Sequence, residues 1–254
     1  MCWRSRVDPS TLTHLYQTLT RYKDDMQMSG TTCVTVVCQP HRIVCANVGD
    51  SRAVYGVRTH RTKKGYDVIP LSSDQTPMLA SEKKRICSKY GPKAISAIFD
   101  EEGNAIGPER VWFKDCNFGL AMTRSLGDIL GKNTGVIALP EYETVDIEAG
   151  ESIIILASDG LWDMYSNEEA LGVAMKHPSP MAAANALGKL AVQRWNKEEG
   201  AAVDDITITV VFLNCIEDEE HSAPPGLPKS VVSLDRRFSG SARGTPPSMP
   251  PPGP

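Results

Sequence analysis

Three short apolar runs in this chain abut aspartate. Ile43 to Val48 leads into Gly49-Asp50. Ile153 to Ala157 leads into Ser158-Asp159-Gly160, with Asp163 one helical turn further on. Asp204-Asp205 stands directly before Ile206 to Leu213. Short runs rich in valine and isoleucine, bounded by glycine or aspartate, read as buried strands. Any fold for this chain must therefore place carboxylates at the ends of several buried strands. A strand end is a rigid mount, and a glycine beside the carboxylate lets a ligand approach the backbone. Taken singly, each aspartate fits a helix cap or an Asx-turn better than a ligand position, and Asp163 also reads as a first-turn acid of the next helix. Spacing leaves open whether the strand ends converge. If they do, two unit charges about 4 Å apart cost on the order of 4 kcal/mol at an effective dielectric of about 20. A divalent cation removes that conflict. None of the five histidines (His14, His41, His60, His177, His221) lies in these motifs. All-oxygen ligation points to magnesium or manganese rather than zinc, and a metal-bound water can serve as a nucleophile.

The remaining signals set the fold class. Asp8-Pro9 reads as an N-cap with proline at the first helical position, and Leu12, Leu15, Tyr16, Leu19 and Tyr22 then line one helical face. "TTCVTVVC" reads as a strand. "HRIVCANVGDSRAVYGV" reads as two strands joined by a hairpin-like turn at Val48-Gly49-Asp50-Ser51. Ser81 is expected to cap a short helix that stops at Gly91. Gly91-Pro92, Gly103-Asn104 and Gly107-Pro108 predict an irregular excursion over residues 91–110. Ser166 with Glu169 forms a capping box for a helix ending before Pro178, and Ser179-Pro180 starts another with Met181, Ala184, Leu187, Leu190 and Ala191 on its apolar face. Strands come in pairs and helices come late and in succession. That predicts an α+β protein with antiparallel sheets and helices packed outside, not a doubly wound parallel sheet.

Composition narrows the classes of partner. A chain of 254 residues can bury a full core, and its net charge of −4 gives no general attraction to nucleic acid or anionic membrane. No apolar run is long enough to span a bilayer, and the first residues lack the apolar core of a signal peptide. The seven cysteines are odd in number and none has CxxC spacing. A disulfide framework or zinc site is not expected, and the compartment reads as reducing, cytoplasmic or nuclear. Half the prolines lie after Ala223, behind the acidic run Glu217 to Glu220. Residues 215–254 therefore read as a disordered Pro-rich tail, leaving 1–214 as the folded domain. Within the tail "RRFSG" looks like a basophilic kinase target at Ser239, and equally like a chance basic pair.

The segments "SGTTCVTVV", "ANVGDSRAVYG", "LSSDQTP" with "EKKRI", "GLAMTRSLGD", "GVIALPE", "ILASDGLWDMYSNEEA" and "DDITITVVFL" follow one another in that order. In wording and order they resemble the metal-dependent protein serine/threonine phosphatases of type 2C, the PPM family, over about Ser29 to Leu213. The wording is closest to plant and protist members. The resemblance implies a sandwich of two antiparallel β-sheets flanked by helices, with a two-metal site at one edge and a further metal position nearby. It implies Asp159 and Asp204 as ligands of the metal pair, Asp163 as a ligand of the further position, and Asp50 as an additional contact there. Asp205 stands where the family often has asparagine. Arg124 resembles a structural arginine rather than a phosphate clamp, and reads as a core-edge ion pair with an aspartate such as Asp128. Residues 88–110 fall where the family has its flap beside the cleft. The implied reaction is hydrolysis of phosphoserine and phosphothreonine in a phosphoprotein, by a monomer using Mg2+ or Mn2+ and without a covalent intermediate.

One part of the family pattern is missing. Family members carry, in their N-terminal third, an arginine before a "MED"-like acidic stretch and then a "DGHGG" block, and neither occurs in this sequence. The expected arginine, bridging aspartate and histidine are thus absent, and no catalytic residue is identifiable. The sandwich is expected to lack its first strands. The chain then reads either as a partial copy with weak or no activity, or as a non-catalytic pseudophosphatase that binds a phosphoprotein or a kinase. Retention of "DGLWD" and "DDIT" favours the first.

Overall fold

The computed structural model describes residues 26–215, apart from positions 61, 64, 115–116, 149 and 199–202. The helix expected over residues 8–22, the tail beyond Cys215 and Ser239 lie outside them. The strands are β1 (Gly30–Thr31), β2 (Cys33–Gln39), β3 (Arg42–Val48), β4 (Arg52–Arg58), β5 (Tyr66–Pro70), β6 (Ile95–Phe99), β7 (Ala105–Trp112), β8 (Gly119–Leu120), β9 (Leu126–Gly127), β10 (Glu141–Asp146), β11 (Gly150–Ala157) and β12 (Ile208–Cys215). The helices are α1 (Ala80–Tyr90), α2 (Ile129–Lys132), α3 (Asp159–Trp162), α4 (Asn167–Ala174) and α5 (Pro180–Glu198).

Two antiparallel sheets carry the core, one in the order β10-β3-β2 and one in the order β12-β11-β4-β5. A small sheet, β6-β7-β8, and the pair β1-β9 complete the set. Between the two larger sheets lie Ile43 and Cys45 of β3, Ala53, Tyr55 and Val57 of β4, and Ile154 of β11. The opposite face of the four-stranded sheet presents Val54, Ile153, Ile155 and Ala157 to Leu161 and Trp162 of α3, Leu171 of α4 and Leu187 of α5. A strand covered on both faces needs apolar side chains at successive positions, which is why β11 reads Ile-Ile-Ile-Leu rather than alternating with polar residues. The architecture is the α+β arrangement of antiparallel sheets and flanking helices that the element pattern predicts.

Two local expectations are corrected. Residues Val48 to Ser51 do not close a hairpin. β3 pairs with β2 and β10, whereas β4 pairs with β11 and β5, so the turn carries the chain from one sheet to the other. Gly49 makes the crossing at φ 106°, where an added Cβ would meet Thr32 Cγ2 at 2.4 Å. The fully buried Gln75 fastens it: Gly49 N–H donates to Gln75 Oε1 (2.7 Å), and Gln75 N–H donates to the Gly49 carbonyl (3.1 Å). Residues 91–110 are not irregular either. They form the β6–β7 hairpin, with a register shift between Ser96 and Ile98, and Gly103 at φ 86° in its turn. The start of α1 also differs: Leu79 stands at its N-cap and makes no side-chain cap, while its end at Gly91 is as expected. The Ser166–Glu169 capping box is present in full, with both reciprocal hydrogen bonds made.

Candidate metal centre

Three of the four aspartates sit beside strands, and Asp163 sits at the end of the short helix that follows β11. Asp50 lies in the crossing between the sheets and is 8% exposed. Asp159 opens α3 immediately after β11, and its Oδ1 accepts from the Gly160 N–H at 3.0 Å. Asp163 closes that short helix, its N–H donating to the Asp159 carbonyl at 2.8 Å. Asp204 stands exposed on the approach to β12, with Oδ1 accepting from the Asp205 N–H at 2.7 Å.

Ser158 and Gly160 lock the Asp204 segment against α3. Ser158 Oγ donates to the Asp205 carbonyl (3.0 Å) and accepts from the Thr207 N–H (3.0 Å), while the Ser158 N–H donates to the Thr207 carbonyl (3.1 Å). A Cβ at position 160 would lie 2.5 Å from the Asp205 carbonyl oxygen, so only glycine permits this approach. Asp205 contributes here through its backbone. Trp162 anchors the same turn: it is buried, and its Nε1–H donates to the carbonyls of Ala157 (2.9 Å) and Arg52 (3.1 Å).

The carboxylates act on one another. Burial, then the charge of Asp159, pushes the Asp50 carboxyl up to about 6, with Asp74 and Asp163 adding to the effect. Asp159 is raised by burial and then by Asp204. Asp163 is raised by loss of solvent and then by Asp159, Asp204 and Asp74. All four sequence-derived positions therefore share one electrostatic neighbourhood. Asp74, in the loop between β5 and α1, belongs to it as well and was not singled out by the sequence reading. Its one signal was membership of the "LSSDQTP" segment. Arg52 grips it: Nε donates to Oδ1 (2.8 Å) and Nη2 to Oδ2 (2.5 Å).

The donor chemistry of this edge, carboxylate oxygens with uncompensated charge, fits a hard divalent cation. Its closure is partial. Among the described residues no group of three or more Asp, Glu, His or Cys side chains is placed to hold one metal ion together. The described residues bring oxygen donors and negative charge to the edge without completing a coordination shell.

Arg124 is buried and structural, as expected, but its partners differ. It pairs with Glu82 (Nε–Oε2 3.1 Å, Nη2–Oε1 2.8 Å) and with Glu141 (2.5 Å), and donates to the Leu139 carbonyl (2.8 Å). Asp128 is instead the left-handed residue before α2, at φ 45°. Glu82 also accepts from Arg85 and Thr123. Burial pushes the Glu82 carboxyl up, but the hydrogen bonds from Arg124, Arg85 and Thr123 outweigh it and hold the group at about 2.

Fold and edge together define a two-sheet α+β protein with an acidic strand-end centre. The family model described as "Protein phosphatase 2C" matches residues 5–200, and the chain belongs to that family. It is 38% identical over 194 residues to "Probable protein phosphatase 2C 73" of Arabidopsis thaliana, covering 76% of this chain and 50% of that protein. It is 36% identical over 208 residues to "Probable protein phosphatase 2C 64" of Oryza sativa subsp. japonica, covering 80% and 46%. The chain thus spans about half the length of the curated relatives it matches. The solved serine-threonine phosphatase 2C of Toxoplasma gondii shares the fold, with a TM-score of 0.61 at 23% identity over 79% of this chain and 63% of that one. Among the described residues no helix is long and apolar enough to cross a membrane.

Proposed function

We propose that this chain is part of a protein serine/threonine phosphatase that hydrolyses phosphoserine and phosphothreonine with Mg2+ or Mn2+ at the edge carrying Asp50, Asp159, Asp163 and Asp204. The observation that carries this reading is the seating of the Asp204-Asp205 segment on the start of α3, beside Asp159, by Ser158 and Gly160, in a chain of the protein phosphatase 2C family. Asp159 and Asp204 are assigned to a metal pair, and Asp163 and Asp50 to a further position. A bound divalent cation supplies a water of lowered pKa and neutralises phosphoryl oxygens. The chain's own residues position the carboxylates: Ser158 and Gly160 seat the Asp204 segment, and Trp162 pins the turn between Asp159 and Asp163. Water attacks phosphorus in line, the serine or threonine hydroxyl leaves, and no phosphoenzyme forms. Arg124 is committed to Glu82 and Glu141, and Arg52 to Asp74, so neither is placed as a phosphate clamp. Weak or no turnover by the 254-residue chain alone is part of the proposal, since the sequence lacks the "DGHGG" block. A phosphoprotein substrate, a monomeric state and a cytoplasmic or nuclear location complete the proposal.

The test is phosphate release from a phosphoserine peptide by the complete protein, with and without manganese. Manganese-dependent release that Asp159→Asn abolishes supports the proposal, and a complete protein without such release sinks it. The incomplete closure of the carboxylates favours a second reading, a non-catalytic module that binds a phosphoprotein or a kinase. Tight phosphopeptide binding by the 254-residue chain, indifferent to manganese and without turnover, would select it.

A further inference from the structure

The short helix between Asp159 and Asp163 is closed from outside, by the far end of α5. The Asp163 N–H bonds to the Asp159 carbonyl, whereas the Met164 and Tyr165 N–H groups both bond to the Leu161 carbonyl. A continuing α-helix would give the Gly160 carbonyl the Met164 N–H. Here it takes a side chain instead: Trp195, in the last turn of α5, donates its Nε1–H to the Gly160 carbonyl at 2.7 Å. The preceding residue works on the same stretch. Arg194 donates to the Met164 carbonyl and to Glu169, and its guanidinium carbon lies 3.7 Å from the centre of the Tyr165 ring. Trp162 cannot serve Gly160, because an indole has one N–H and that of Trp162 is engaged by the Ala157 and Arg52 carbonyls.

Gly160 is also the residue around which the acidic edge is assembled. Its N–H meets Asp159 Oδ1, its Cα faces the Asp205 carbonyl, and its own carbonyl is the one that Trp195 holds. Resting on the reading of this edge as the site of phosphate-ester hydrolysis, we propose that Trp195 is a positioning residue, whose indole N–H fixes the Gly160 carbonyl and through it the placing of Asp159 against the Asp204-Asp205 segment. The N–H carries this role, not the bulk of the ring. Without its donor, the Gly160 carbonyl turns to find water, and the peptide between Asp159 and Asp163 turns with it. A misplacement of that kind costs turnover far more than it costs the fold.

The test sets two substitutions against each other. Trp195→Phe keeps an aromatic ring and loses the N–H, whereas Trp195→His keeps a ring N–H and loses the fused benzene ring. Two quantities are read: hydrogen–deuterium exchange over residues 158–165 in the 254-residue protein, and phosphate release from a phosphoserine peptide by the complete protein with manganese. Both are measured at about pH 8, where imidazole is neutral. Trp195→Phe is expected to speed exchange about tenfold and to lower kcat about tenfold, with KM within about twofold. Trp195→His is expected to recover exchange to within about threefold and at least about half of the parent kcat. A packing role predicts the reverse order, with Trp195→His the worse of the two, and that order overturns the inference. Parental exchange in Trp195→Phe overturns it as well, as does a loss confined to KM, or faster exchange with parental kcat. If Trp195→Phe does not fold, Trp195→His decides alone, and a kcat below about a tenth of the parent's overturns the inference. A complete protein that releases no phosphate removes the reading of the edge and this inference together. An active parent with any of the overturning results removes the role of Trp195 alone.

Discussion

A methyl group added at Gly160 would be pressed 2.5 Å from the Asp205 carbonyl oxygen. Gly160→Ala must therefore push the Asp204-Asp205 segment away from α3, at a cost of about 1–3 kcal/mol in urea unfolding. It should also weaken manganese binding, because Asp204 moves with the segment. Glu82 is the second residue on which much depends, since it neutralises Arg124 inside the protein. Glu82→Gln leaves the buried Arg124 with only the half-exposed Glu141 as counter-ion and should cost about 2–4 kcal/mol. Its folded-state pKa is depressed, to about 2. The stability it confers is present above the ordinary value near 4.5 and is lost as pH falls toward 2. Urea midpoints measured down that window should fall more steeply for the parent than for Glu82→Gln. Cys45 behaves as the small hydrophobe its strand suggests: burial first, then the charge of Glu143, pushes its thiol up to about 12.

Elements whose signals are local were legible in the sequence. The Ser166–Glu169 capping box needs only four consecutive positions, and it is present as read; Ser166→Ala should cost about 1 kcal/mol in thermal or urea unfolding. α5 begins at Pro180, where Ser179-Pro180 placed it, with Ser179 Oγ accepting from the Ala182 N–H at 3.3 Å. Signals that depend on distant partners were not legible. "VGDS" has the composition of a hairpin turn, and only the pairing of β3 with β10 and of β4 with β11 makes it a crossing between sheets. Residues 91–110 are rich in glycine and proline, yet their hairpin packs Ile95 and Val111 with Ile86 of α1. The four aspartates could be found because Asp50, Asp159 and Asp204 flank strand-like runs, with Asp163 one helical turn beyond Asp159. Their convergence could not, because Asp50 and Asp204 lie far apart in the chain. Asp74 escaped notice for the same reason, its partner Arg52 being 22 positions away.

At the scale of the whole molecule, the buried apolar residues form separate clusters on the two faces of the four-stranded sheet and beneath α1, while one edge gathers negative charge. That edge is a stability liability without a cation. The Asp50 pKa is raised in the fold, to about 6, so its contribution is favourable below the ordinary value of 3.8 and is lost as pH rises through about 6. A divalent cation offsets this loss where the carboxylates are ionised. Manganese should therefore raise the melting temperature clearly at about pH 7.5 and much less at about pH 5, as read by scanning calorimetry. Equal shifts at both pH values would place the bound ion elsewhere. The central claim, that these strand ends form a cation site, is tested most directly by anomalous diffraction from crystals of the protein soaked in manganese. The account predicts an anomalous peak in coordination contact with the carboxylates of Asp159 and Asp204. A peak elsewhere, or none at that edge in a well-ordered crystal, would contradict it.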